Sequence, residues 1–246
     1  MTCFYIAIFW SDIYDKIAAN IFHVGLFQSA ALYLNSALIF LVIVRYQKGA
    51  LQRLKWHALG RRWIVVSIVL VYFLWPIYDG AHMPTKSVGY FLTTLLMAIG
   101  VGLNEELFSR GLILSYFEKF GSGWAFWVSS LTFGAFHLLN IIYGSNPVGA
   151  IYQAIHATGA GFIFAGLLLY TRSIWIPVLY HAANDFPLLQ YHSSTSDNVP
   201  FEWSTVGGLF VEAVFALAIG GALYYFSRDR FQDLTNLAVK HKLVEA

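Results

Sequence analysis

One long apolar stretch, residues 88–117, carries three charged side chains near its middle: Glu105, Glu106 and Arg110. The residues on both sides of this group are almost wholly apolar, so the stretch is predicted to be a membrane helix. A charge near the bilayer centre costs at least about 2.5–3.5 kcal/mol on insertion scales. Three charges together are therefore expected to be paired, hydrated or functional.

Glu106 and Arg110 stand four residues apart, which places both side chains on one face of a helix. We expect them to form a structural ion pair. Glu105 is then left without a partner in its own segment. A spare carboxylate inside a membrane is a functional-site hypothesis.

The composition agrees with a membrane protein. Of the 246 residues, 58% are hydrophobic and 11% are charged, whereas a soluble domain has about 25% charged residues. The net charge of +2 and the lack of a dense Lys/Arg block argue against nucleic acid as a partner. The lipid bilayer is the partner that this composition predicts. The single cysteine, Cys3, excludes an internal disulfide.

The pattern of apolar stretches predicts an all-α fold, a polytopic bundle of about seven transmembrane helices. The predicted spans are residues 21–44, 63–78, 88–117, 124–143, 149–170, 173–189 and 206–226. We divide the chain into an interfacial segment (residues 1–20), a transmembrane domain (21–226, with a catalytic core at about 88–189) and a tail (227–246).

The loop at residues 45–62 holds six basic residues and no acidic one. The positive-inside rule makes this loop cytoplasmic. The chain is then a multi-pass protein of the cell membrane with a cytoplasmic C-terminus, and the tail is predicted to be an amphipathic helix on that surface.

Two later spans also carry ionisable groups. His137 follows Phe133 by four residues, and Asp185 follows His181 by four, so each pair shares a helix face. Counted from the cytoplasmic ends at about 1.5 Å per residue, these groups and Glu106 lie about 12–20 Å deep. Similar depths predict one polar chamber that gathers them.

Three other polar side chains lie in the fifth and last spans. Gln153 and His156 share a face and are interpreted mainly as packing or hydrogen-bonding residues, the alternative being that they line the chamber. Glu212 has no opposite charge nearby in the sequence and is expected near the external interface.

Two kinds of water activation suit these side chains. A buried glutamate can act as a general base while imidazoles orient the water and donate to an oxyanion. Alternatively, a divalent metal such as zinc would activate the water. Its ligands would be Glu105, His137, His181 and Asp185. The chain has no His-Glu-x-x-His motif, and the residues favour metal-free activation only slightly.

The segments NEELFSRG, FGAFH and HAAND, in this order on separate spans, resemble the CAAX prenyl endopeptidase and bacteriocin-processing (CPBP, or Abi) family of intramembrane proteases. The family pattern is Glu-Glu-x-x-x-Arg, Phe-x-x-x-His and His-x-x-x-Asn/Asp, and the resemblance covers about residues 88–189. It implies that Glu105 activates water with His137 as its partner.

By the same resemblance, His181 and Asp185 stabilise the oxyanion, Glu106 and Arg110 structure the site, and Phe133 is a wall of the pocket. The last position is often Asn in this family. An ionised Asp cannot donate to an oxyanion, so Asp185 would have to be protonated, orient His181 or bind a metal.

The prediction is therefore an intramembrane endopeptidase acting on a membrane-associated peptide or protein. Prenylated C-terminal tails and bacteriocin or leader peptides both fit. Two alternatives are a catalytically silent family member that acts as an immunity or scaffold protein, and a proton-coupled transporter, whose relays use similar residues.

Overall fold

The computed structural model describes residues 24–46, 62–81, 88–142, 144–191 and 199–244. The predicted interfacial segment at residues 1–20 and most of the basic loop lie outside these ranges. In the described part of the chain every regular element is helical. The α-helices are α1 (Val24–Tyr46), α2 (Trp63–Ala81), α3 (Val88–Glu106), α4 (Ser115–Phe117), α5 (Ser122–His137), α6 (Pro147–Thr171), α7 (Trp175–Tyr191) and α8 (Trp203–Val244).

Each predicted span overlaps one of these helices. Three helical stretches are long and apolar enough to cross a bilayer: Val88–Phe120, Pro147–Thr171 and Trp203–Ser227. Two shorter ones, Ala30–Ile43 and Trp63–Asp79, are also apolar. The chain is thus an all-helical integral membrane protein, while the count of seven spans stays a prediction.

The third predicted span is not one uniform helix. The regular α-helix ends at Glu106, the second of the two glutamates. The chain then continues as a π-helix from Leu107 to Leu114. A short α-helical turn, α4, and a 3-10 turn at Glu118–Phe120 complete the stretch. π-Helical insertions within α-helices often occur at functional sites. Here the change of hydrogen-bonding pattern lies between Glu106 and Arg110.

Two other boundaries differ from the prediction. Helix α5 ends at His137 and passes into a 3-10 turn at Leu138–Ile141, so the fourth span is not α-helical to its end. The backbone of α8 continues to Val244, so the predicted tail helix is an extension of the last span. No Gly or Pro lies between residues 222 and 244 to end the helix earlier.

Small residues let the helices approach closely. Gly102 of α3 faces the backbone of α7, where an added Cβ would lie 3.0 Å from the Val178 carbonyl oxygen. Gly166 and Gly220 meet where α6 crosses α8. Small residues at such crossings are typical of membrane helix bundles. The first of these contacts sets the spacing between the two helices that carry most of the polar residues.

Candidate active site

His181 is the centre of the polar cluster. Its Nδ1–H donates to Oε1 of Glu106 at 3.1 Å. Its other nitrogen, Nε2, lies 3.4 Å from Oδ2 of Asp185 and 3.8 Å from Oε2 of Glu105. The two glutamates are at the end of α3, whereas His181 and Asp185 are on α7. The α3–α7 contact therefore brings three carboxylates around one imidazole.

Glu106 and Arg110 form the predicted ion pair. The Arg110 Nε lies 3.3 Å from Oε2 of Glu106, and both side chains are fully buried. Arg110 also donates through Nη2 to the carbonyl oxygen of Gly161 on α6, at 2.9 Å. A buried ion pair is tolerated only when its charges are well compensated. Here Glu106 is held between a guanidinium and an imidazole.

Two phenylalanine rings enclose this buried part of the cluster. The guanidinium carbon of Arg110 lies 4.5 Å from the ring centroid of Phe133 and 5.1 Å from that of Phe164. Phe164 also stacks on the His181 ring, with centroids 4.8 Å apart. Aromatic faces attract a cation and exclude water from it. Together the rings fix the positions of His181 and Arg110.

His137 reaches the cluster through Phe133. The Phe133 ring meets the His137 ring edge-on, with centroids 5.2 Å apart, and the His181 ring at 5.7 Å. The Nδ1–H of His137 donates to the Phe133 carbonyl oxygen at 2.9 Å, since a carbonyl can only accept. In the neutral ring, Nε2 is then the atom with a free lone pair.

The described residues do not show a direct pair between His137 and Glu105. The carboxylate of Glu105 is instead closest to Nε2 of His181. The reason is local: His137 is the last residue of α5, and its Nδ1 is occupied by the carbonyl one turn earlier. A water molecule or a substrate group between the two side chains would be needed to join them.

The carboxylates differ in their access to solvent. The Glu105 side chain is 34% exposed and that of Asp185 is 22% exposed, whereas Glu106 is fully buried. Both carboxylate oxygens of Glu106 are also engaged, since Oε2 lies beside Arg110 and Oε1 accepts from His181. Glu105 is therefore the glutamate that can meet water or a substrate, as the sequence analysis expects.

The residues predicted to bind a metal do not all converge. Within the described ranges, no group of three or more His, Cys, Asp or Glu side chains has an arrangement that would hold a metal ion. Glu105 and Asp185 approach the same nitrogen of His181, and His137 is turned toward its own helix. Zinc binding by these residues stays a prediction.

Three structural features of this site were not predicted from the sequence. Phe164 and the Gly161 carbonyl come from α6, and the π-helix changes the path of the chain at Arg110. A signal for α6 was present in the run of small residues before Phe164, Thr158-Gly-Ala-Gly, which permits a close approach. The π-helix was not predicted, because the residue types of Leu107–Leu114 are also compatible with an α-helix.

Glu212 is paired, although the sequence suggested no partner. Its Oε1 lies 2.9 Å from Nδ1 of His156, so the partner is on α6. Gln153 accepts a hydrogen bond from Asn140. Asn184, next to Asp185, accepts from the Tyr72 hydroxyl at 2.9 Å and donates to the Tyr180 carbonyl, so it does not replace Asp185 at His181.

Comparison with known proteins agrees with the three motifs. Residues 87–187 match the family model described as type II CAAX prenyl endopeptidase, Rce1-like. No curated protein and no solved structure matches the chain significantly. The matched segment contains all six predicted site residues and nearly coincides with the resemblance found from the motifs. Over residues 87–187 the chain is thus similar to the family of CAAX-type prenyl endopeptidases, which supports the resemblance found from the motifs.

Proposed function

We propose that the chain is an intramembrane endopeptidase that hydrolyses a peptide bond of a membrane-associated substrate with water activated by Glu105. The observation that carries this proposal is the arrangement around His181. A buried, charge-compensated half (Glu106 and Arg110) holds the imidazole, and a partly exposed half (Glu105 and Asp185) faces the space that water and substrate can enter.

The chemistry follows from these positions. Glu105 takes a proton from a water molecule, whose oxygen attacks the carbonyl carbon of the scissile bond. The carbonyl oxygen becomes an oxyanion, and His181, protonated on both ring nitrogens, donates to it through Nε2–H. When the C–N bond breaks, the proton on Glu105 passes to the leaving amine. His137, on the other side of Phe133, orients the water through its free Nε2.

Asp185 acts on His181 in this proposal. Its Oδ2 is 3.4 Å from Nε2, so it orients the ring and supports the protonated form. An ionised Asp185 could not itself donate to the oxyanion. We therefore assign oxyanion stabilisation to His181 and orientation to Asp185.

The substrate class follows from the family description and the membrane setting. A CAAX sequence ends a chain with a prenylated cysteine and three further residues, which anchors that end to a membrane. Prenylated C-terminal tails are thus the first substrates to test, and bacteriocin or leader peptides are the second. We place the protein in the cell membrane with a cytoplasmic C-terminus, because the basic residues favour that orientation.

The experiment uses the full chain, purified and reconstituted in lipid vesicles with a farnesylated peptide that ends in a CAAX sequence. We expect mass spectrometry to detect release of the C-terminal tripeptide. Glu105→Ala and His137→Ala should lose turnover, whereas Glu202→Gln, at an exposed glutamate outside the cluster, should not. Normal cleavage by the first two variants would show that the residue assignment is wrong.

The same vesicles test the alternatives. Proton-coupled flux without proteolysis would favour the transporter, and neither activity would favour a silent scaffold. For the metal question, we expect cleavage to survive chelator treatment. Loss of cleavage that zinc restores would establish the metal-dependent alternative.

A further inference from the structure

A second polar pair lies beside the catalytic cluster. His156 of α6 and Glu212 of α8 are joined at 2.9 Å, and their side chains are 49% and 53% exposed. Both are in helices that are apolar and long enough to span a bilayer. Charged groups in such helices face a bundle interior or a water-filled cavity and not the lipid tails. The exposed side of this pair is therefore expected to be hydrated.

The surrounding helices define where this hydrated space is. Helices α2, α6, α7 and α8 meet in one apolar cluster that contains Val66, Val69, Leu167 and Ile176, with Leu223 packed against it. We call this cluster the floor. It joins the α2–α7 pair of helices to the α6–α8 pair.

The polar residues all lie on one side of the floor. His156 precedes the floor residue of α6 in the chain, and Glu212 precedes that of α8. On α2 and α7, which run the opposite way, the polar residues Tyr72, Asn184 and Asp185 come after the floor residues. Because the two helix pairs run in opposite directions, all five positions fall on the same side.

The hydrated space has two walls. The wall formed by α6 and α8 is tightly packed, and the wall formed by α7 adjoins the catalytic site. Next to the His156–Glu212 pair, an added Cβ at Gly159 would lie 3.0 Å from Cα of Ala213, so α6 and α8 are in backbone contact. On the facing wall, Asp185 contacts His181 directly. The His156 imidazole lies within range of an electrostatic interaction with the Asp185 carboxylate, and the Glu212 carboxylate lies within such range of the Tyr180 hydroxyl.

We propose that His156 and Glu212 form a substrate-positioning subsite, on the wall opposite Asp185, which binds the backbone of an extended peptide. Nδ1 of His156 is used by Glu212, which leaves the His156 Nε2 and the second Glu212 oxygen for a ligand. With His156 protonated, these atoms are one donor and one acceptor, as a peptide group requires. The pair acts on the peptide and does not touch the reacting atoms.

Two experiments test the subsite. The first is kinetic and rests on the proposed endopeptidase function. With the farnesylated peptide, His156→Gln and Glu212→Gln are expected to raise KM by about tenfold, the worth of one or two hydrogen bonds, with kcat within about twofold of wild type. Glu202→Gln is the matched control. Unchanged KM in both variants, or a loss confined to kcat, would overturn the subsite.

The second experiment labels introduced cysteines and does not depend on catalysis. In a Cys3→Ser, Glu105→Gln background, His156→Cys and Gln153→Cys should react with a membrane-impermeant thiol reagent supplied on both sides of the vesicles. The farnesylated peptide should slow the reaction at position 153, where His156 and Glu212 are both retained. Val214→Cys is exposed on the opposite face of α8 and should react at least tenfold more slowly.

These results separate the two proposals. Labelling and peptide protection without any wild-type cleavage would retain the subsite and reject the endopeptidase. Labelling of positions 153 and 156 no faster than position 214, or no protection by the peptide, would overturn the subsite even if the wild-type protein cleaves.

Discussion

The two halves of the network around His181 use the same kinds of side chain in opposite ways. In the buried half, Glu106 and Arg110 have no exposed surface and form an ion pair with each other. In the accessible half, Glu105 and Asp185 keep part of their surface exposed and approach the same nitrogen of His181. One glutamate of an adjacent pair can therefore stabilise the structure of the site while its neighbour remains available for chemistry. The predictions below test this division.

The largest effect is expected in the buried half. Arg110→Met leaves Glu106 as a buried carboxylate without its cation, which should lower the free energy of unfolding by about 3–5 kcal/mol. Denaturant unfolding in detergent or bicelles measures this. Adding Glu106→Gln should recover part of the loss, because a buried amide needs no counter-charge. A double variant no more stable than Arg110→Met would show that the ion pair is not what the site depends on.

A smaller effect is expected at the contact between the two helices. Gly102→Ala places a Cβ 3.0 Å from the Val178 carbonyl and 3.4 Å from Cβ of His181, so α7 must shift away from α3. Overpacking of this kind typically costs 1–3 kcal/mol, and a displacement of about 1 Å can lower turnover by about 10²-fold. Cleavage and unfolding are measured together. Gly221→Ala, with no atoms near its added Cβ, is the control and should leave both unchanged.

The smallest effect is expected at Asp185. Asp185→Asn keeps the shape of the side chain and one acceptor oxygen but replaces the negative charge with a donor group, and Asn is common at this position of the family pattern. We expect kcat/KM to fall by less than about tenfold, which corresponds to about 1.4 kcal/mol. His181→Asn, by contrast, should abolish cleavage. A fall of more than about a hundredfold in Asp185→Asn would show that the negative charge itself is required.

Much of this arrangement could be predicted from residue spacing along single helices. The four-residue spacing of Glu106 and Arg110 predicted their ion pair, and the same spacing placed His181 and Asp185 on one face. The apolar runs predicted where the helices lie, although α5 ends at His137, before the predicted end of its span, and α8 continues to Val244. Local geometry decides these features, so a single sequence contains the information.

Contacts between helices were not accessible in the same way. Phe164 stacks on His181, and Glu212 pairs with His156, only because of how α6 packs against its neighbours. Spacing within one helix says nothing about a partner on another. The π-helix after Glu106 was missed for a different reason, since its residue types suit an α-helix and a π-helix alike.

The most direct test of the central claim compares Glu105→Gln with Glu106→Gln in the same cleavage and unfolding assays. The division of roles predicts that Glu105→Gln folds with nearly wild-type stability and loses about 10²–10⁴-fold in turnover, the usual contribution of a general base. Glu106→Gln should instead lower the free energy of unfolding by several kcal/mol, because it leaves Arg110 buried without a counter-charge. A stably folded Glu105→Gln protein that cleaves at the wild-type rate would contradict the account.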